Sequence, residues 1–145
     1  MPKLTFASVS EGDQLPAVVR TVDQETFWKF AVASFDYNPV HCDPRWVETA
    51  RPFTLTSTVG HGMMTAAFMF SVVNGWMLPT VLRIRKAAVK FTFPVLPGWS
   101  ITSHGYIAEK HPIAPGRNFV VIKVKAENQE KVVVGTAEYE VVFPD

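Results

Sequence analysis

Gly62-Met63-Met64-Thr65-Ala66-Ala67-Phe68-Met69-Phe70-Ser71-Val72-Val73 is the stretch on which the fold turns. Its residues are small or apolar almost all round a helical wheel. A helix of that kind stays in water only when it is buried. It falls short of the ~20 apolar residues that cross a bilayer, and Asn74 and Gly75 interrupt it. A buried central helix is expected over 62–73 or a little beyond.

On the C-terminal side the texture changes to period two. Val89, Phe91 and Phe93 alternate with Lys90 and Thr92, and Pro97-Gly98 reads as a turn. Trp99 to Ile107 is a strand, and so is Asn118 to Ala126, with an apolar face inward and Lys123 and Lys125 outward. Glu127 to Glu130 connects it to a last strand, Lys131 to Phe143, with Gly135 at a bulge. On the N-terminal side, Gln14 to Val22 holds a first strand and Asp23 caps a helix, with Thr21–Gln24 as a competing start. Phe27, Phe30, Ala31 and Ser34 form one stripe of that helix, and Trp28, Val32 and Phe35 a second. So apolar a helix is deeply packed or covered by another subunit. Pro39 is expected to stop it. Asp43-Pro44 opens a short helix toward Ala50, Arg51-Pro52 ends it, and Phe53 to Val59 is loop or extended chain. The order implies an α+β domain whose antiparallel sheet wraps the apolar helix.

Bulk properties narrow the function classes. The 145 residues read as a single domain, 1–145. A formal net charge of +1 gives no strong pull toward nucleic acid or an anionic membrane. Cys42 is the only cysteine, so no internal disulfide forms, and Met1 to Asp13 does not read as a leader. The expected location is cytoplasmic.

Two segments carry candidate chemistry. Asp36-Tyr37-Asn38-Pro39-Val40-His41 sets a carboxylate and an imidazole five residues apart across a turn stiffened by Pro39 and by an Asx-type bond from Asn38. Ordinary pKa values of about 4 and about 6.5 suit such a pair to acid–base work near neutrality. The same residues also compose an ordinary helix-ending loop. His61-Gly62-Met63-Met64-Thr65 opens the buried helix, where free N–H groups and the dipole could hold a carbonyl oxygen gaining charge. The plainer alternative is a cap at His61 and close packing at Gly62. A metal centre at His41, Cys42, Asp43 and His61 lacks paired ligand spacing, so neither metal nor cofactor is expected. Cys42 shows no activating pattern as a nucleophile. Arg83, Arg85, Lys86 and Lys90 form either a solvated face before a strand or a set of partners for phosphates. His104 and His111 read as surface residues without partners.

Together, Asp-x-Asn-Pro-x-His and the later His-Gly-Met-x-Thr resemble the MaoC-like dehydratases and R-specific enoyl-CoA hydratases. Phe6 to Leu15, with Glu11-Gly12-Asp13, resembles the family's opening, and Phe91 to Gly98 the stretch where its sheet resumes. The resemblance implies a hot-dog fold, a homodimer and an acyl thioester substrate on coenzyme A or an acyl carrier protein. It gives Asp36 and His41 the catalytic roles. It places Asn38, His61, Gly62, Met63 and Thr65 at the substrate, with Thr65 supporting the aspartate. The implied reaction interconverts trans-2-enoyl and (R)-3-hydroxyacyl thioesters. A hot-dog thioesterase and a non-catalytic subunit of a heterodimer are the alternatives. Three departures bear on the acyl pocket: Phe35 for the usual Gly, Trp99 for the usual Asp, and Phe53-Thr54-Leu55-Thr56 for a Gly-rich loop.

Overall fold

The computed structural model describes residues 3–80 and 82–144. The apolar stretch forms α4 (Gly62–Met77), one turn longer than the pattern alone suggested. Met64, Met69, Val72, Val73 and Met77 drive into the core beneath a five-stranded antiparallel sheet. Each such side chain removed from water contributes about 1.5–3 kcal/mol. The strands are β1 (Val18–Thr21), β2 (Arg83–Phe91), β3 (Ser100–His111), β4 (Phe119–Glu127) and β5 (Val133–Val142), in the spatial order β1-β3-β4-β5-β2. Central β4 is buried along most of its length, and Lys123 alone of its residues is exposed. Register shifts at Ile84/Lys86, Ile107/Glu109 and Ala126/Glu127 are bulges that bend the sheet around α4. The last adjoins Gly135, where a bulge was expected. This is a hot-dog architecture. Among the described residues no helix is long and apolar enough to cross a membrane.

Three local expectations are corrected. Pro39 does not stop the first helix. α1 (Gln24–Ser34) ends earlier, at Phe35 in the left-handed region (φ 58°), and Pro39 instead opens a one-turn helix, α2 (Pro39–Cys42). The capping box of α1 joins Asp23 to Thr26, not Thr21 to Gln24. Arg83, Arg85 and Lys86 do not precede a strand but lie within β2. α3 (Pro44–Ala50) forms as expected from its Asp43 cap.

One chain leaves much apolar surface uncovered. α4 turns Met63, Ala67 and Phe70 outward, a stripe at helical spacing, and Met63 is 67% exposed. Trp28 and Val32 on α1 and Val89 and Phe91 on β2 are exposed as well.

Candidate active site

The chain brings the two sequence segments together. α1 delivers Asp36 from its left-handed end, while α2 presents His41 and the start of α4 presents His61. Asn38 caps α2, its Oδ1 accepting from the Val40 N–H at 3.2 Å. The Asn38 N–H in turn donates to Asp36 Oδ1 at 3.2 Å. Two side chains of α1 hold α2 from outside: Gln24 Nε2 donates to the His41 carbonyl and Trp28 Nε1 to that of Cys42. Gln24 is itself held by the hydroxyl of buried Thr58.

The imidazole of His41 is oriented by the backbone. Its Nδ1 lies 2.7 Å from the Val59 carbonyl, which can only accept, so Nδ1 carries the proton. Neutral His41 therefore keeps a lone pair on Nε2, which faces Asp36 Oδ2 at 4.0 Å. That is too long for a direct hydrogen bond. Burial pulls the His41 pKa below 6.5, and neighbouring His61 adds to this; the Val59 bond and the Asp36 charge oppose it.

His61 joins the segments. Only 2% exposed, it donates from Nε2 to the backbone carbonyl of Asp36 at 3.0 Å and stacks on His41, centroids 3.9 Å apart. Its Nδ1 is buried without a hydrogen-bond partner among the described residues. It does not cap α4. At that helix start, acceptors reach the N–H groups of Met64 and Thr65, but among the described residues none reaches Gly62 or Met63. Gly62 lies under the Phe91 ring: a Cβ there would stand 3.0 Å from it. Thr65 is buried, with its methyl toward Gly135. No hydrogen bond joins it to Asp36 among the described residues; the bond to Asp36 from this segment comes from His61.

Asp36, His41 and His61 place donor atoms within 4.8 Å of one another, the set best able to hold a metal. Their two rings lie stacked, however, so the in-plane lone pairs run side by side instead of converging on one ion. Burial pushes the Cys42 thiol up, and Asp36 pushes it further, which disfavours a thiolate nucleophile. His104 and His111 do have partners. His104 meets Glu127 across the strand pair at 3.0 Å; His111 meets Glu109 at 2.8 Å and stacks on Phe119. A recess of about 640 Å³ opens on the sheet among Lys90, His104, Tyr106, Lys123 and Glu138, away from the catalytic candidates.

The MaoC like domain matches residues 6–130, which include both segments. The chain belongs to that family. An (R)-specific enoyl-CoA hydratase of Rhodospirillum rubrum is 28% identical over 130 residues, covering 89% of this chain and 85% of that protein. An R-hydratase of Pseudomonas aeruginosa, solved unliganded, superposes with a TM-score of 0.83 at 24% identity, over 97% of this chain and 85% of that one. A protein described as a monoamine oxidase regulatory protein, from Archaeoglobus, gives 0.84 at 24%, over 97% and 94%. At that identity the two structures carry the fold alone. Family membership places the chain among MaoC-like hydratases and dehydratases in general.

Proposed function

We propose that the chain adds water to trans-2-enoyl thioesters, and removes it from (R)-3-hydroxyacyl thioesters, through Asp36 and His41. The observation that carries this reading is the His41 tautomer: with Nδ1–H spent on Val59, the free Nε2 faces the Asp36 carboxylate across a gap that suits one water. The free N–H groups of Gly62 and Met63 suit the thioester carbonyl, polarising it as enolate charge develops. Water attacks the β-carbon while His41 Nε2 takes its proton. The imidazolium then returns a proton to the α-carbon, which neutralises the enolate. Asp36 aligns the water and balances the imidazolium charge. Asn38 shapes the turn, and His61 holds the Asp36 backbone against His41. Thr65 and Met63 flank the substrate at the helix start.

The active form on this reading is a homodimer. The exposed Met63–Ala67–Phe70 stripe of α4, with exposed Val89 and Phe91 on the edge strand β2, suits contact with a second copy. In the test, crotonyl-CoA is mixed with purified protein and loss of the conjugated enoyl absorbance is followed. Wild type should turn over, while His41→Ala and Asp36→Asn should fold normally and lose about 10²–10⁴-fold. A wild type inert toward short and long enoyl thioesters alike refutes the reading. Free thiol released in place of hydration would point to a thioesterase.

A further inference from the structure

Backbone strain in this chain gathers around the candidate site. Among the described residues five non-glycine residues hold a left-handed φ, and four of them, Phe35, Arg51, Phe53 and Thr54, fall between α1 and α4. Phe35 is the one beside the chemistry. It ends α1 at φ 58°, it is 82% exposed, and its Cα stands about 3.8 Å from that of Asp36. The turn cannot relax without moving the carboxylate. The Asp36 N–H donates to the Ser34 hydroxyl at 3.4 Å, the Asp36 carbonyl accepts from His61, and Asp36 Oδ1 accepts from the Asn38 N–H. Strain of this kind persists only where the surroundings over-determine it, and it collects at active sites and ligand clamps. A left-handed helix end is met more cheaply by glycine or asparagine. Helix ending therefore accounts for neither the bulk nor the exposure of this ring.

We propose that Phe35 is a specificity-determining residue: its ring lies along the acyl chain of the thioester beyond the β-carbon and selects longer chains over short ones. The proposal rests on the thioester reading given above. With the thioester carbonyl at the start of α4 and the β-carbon at the Asp36–His41 gap, the rest of the chain runs away from α4 toward the open side of the pair. Asp36 forms that side, its side chain 52% exposed against 15% for His41. Phe35 supplies apolar surface there. Covering one methylene contributes a factor of about four in affinity. A ring that covers two of them gives a preference of about tenfold or more.

Calorimetry compares octanoyl-CoA with butyryl-CoA on wild type, Phe35→Ala, Phe35→Gly and Phe35→Tyr, each checked for folding by circular dichroism. Both thioesters are saturated, so binding is read without hydration. Wild type should bind the longer chain about tenfold tighter or more. Phe35→Tyr keeps the ring and should keep that preference, while Phe35→Ala and Phe35→Gly should each reduce it to about threefold or less. Alanine retains the strained backbone and glycine relieves it, so equal loss in both assigns the effect to the ring. A wild type without the preference, a preference that survives in both variants, or one lost in only one of them overturns the proposal. Tighter binding of octanoyl-CoA by either variant would make the ring a plug and overturns it as well. So does sedimentation in which the variants dissociate from an associated wild type, which would give the ring to a second copy. In kinetics, the kcat/KM ratio of 2-octenoyl-CoA to crotonyl-CoA should fall in Phe35→Ala and Phe35→Gly by the factor seen in binding, and an unchanged ratio also overturns it. A ring-dependent preference in binding without hydration of either enoyl thioester would count against the catalytic reading and leave the assignment of Phe35 standing.

Discussion

Phe35 is the residue before Asp36, and it holds the left-handed conformation at the end of α1 (φ 58°, ψ 21°) with its side chain 82% exposed. An L-residue in that region costs about 1–2 kcal/mol, a cost glycine escapes. Glycine returns roughly 0.5–1 kcal/mol of that gain through its freer unfolded chain. Substituting Phe35 directly mixes this backbone effect with loss of the ring. The clean comparison is Phe35→Gly against Phe35→Ala, since both lack the ring and only glycine relieves the backbone. Phe35→Gly should be the more stable by about 1 kcal/mol, which corresponds to a melting point higher by about 2–4 °C in a chain of this size. The pair must be melted at one protein concentration, because association shifts apparent stability. An alanine variant as stable as the glycine variant would refute the reasoning and imply that the helix end rearranges once the ring is gone.

Other expectations follow from the site. The acid limb of kcat/KM should lie below pH 6.5, because burial lowers the His41 pKa and only the neutral ring can take a proton; a limb above 6.5 would show that another group controls it. The same depression makes His41's contribution to stability complete above pH 6.5 and lost as pH falls through the folded pKa, since the unfolded chain then binds the extra proton. Gln24→Ala should cost about 1–3 kcal/mol in a denaturant titration, because it leaves the His41 carbonyl and the Thr58 hydroxyl short of a partner; a change under about 0.5 kcal/mol would mean water replaces both bonds. Sedimentation at micromolar concentration should show a dimer, and Val89→Glu on the β2 edge should split it; a monomeric wild type would dismiss the shared surface.

The sequence conveyed α3, α4 and β3 to β5 well because composition and caps mark them. α4 is apolar, β4 alternates toward Lys123, and Asp23 and Asp43 are strong caps that the structure uses. β2 was hidden over 83–88 because the single chain buries none of it: Ile84 is its one partly covered residue, so no alternation marks the strand. The end of α1 was misplaced because a phenylalanine does not itself mark a left-handed helix end, and only the resemblance set a glycine at that position. In the candidate site, the two segments stood out by residue type, and their meeting through His61 and the Asp36 carbonyl arises only in three dimensions. The same holds for His104–Glu127, a pairing set by strand register, and for Arg85 over Phe119, residues 34 positions apart.

His41 and Val59 hold each other along a short length of backbone: the Val59 N–H donates to the Val40 carbonyl while its own carbonyl takes the His41 ring proton. The ring's identity as proton acceptor or donor is therefore written in the course of a neighbouring loop. A change in the course of residues 55–59 that withdrew this carbonyl would remove the acceptor that fixes the proton on Nδ1. On the proposed mechanism, the base at Nε2 would then be lost with Asp36 and His41 themselves unchanged.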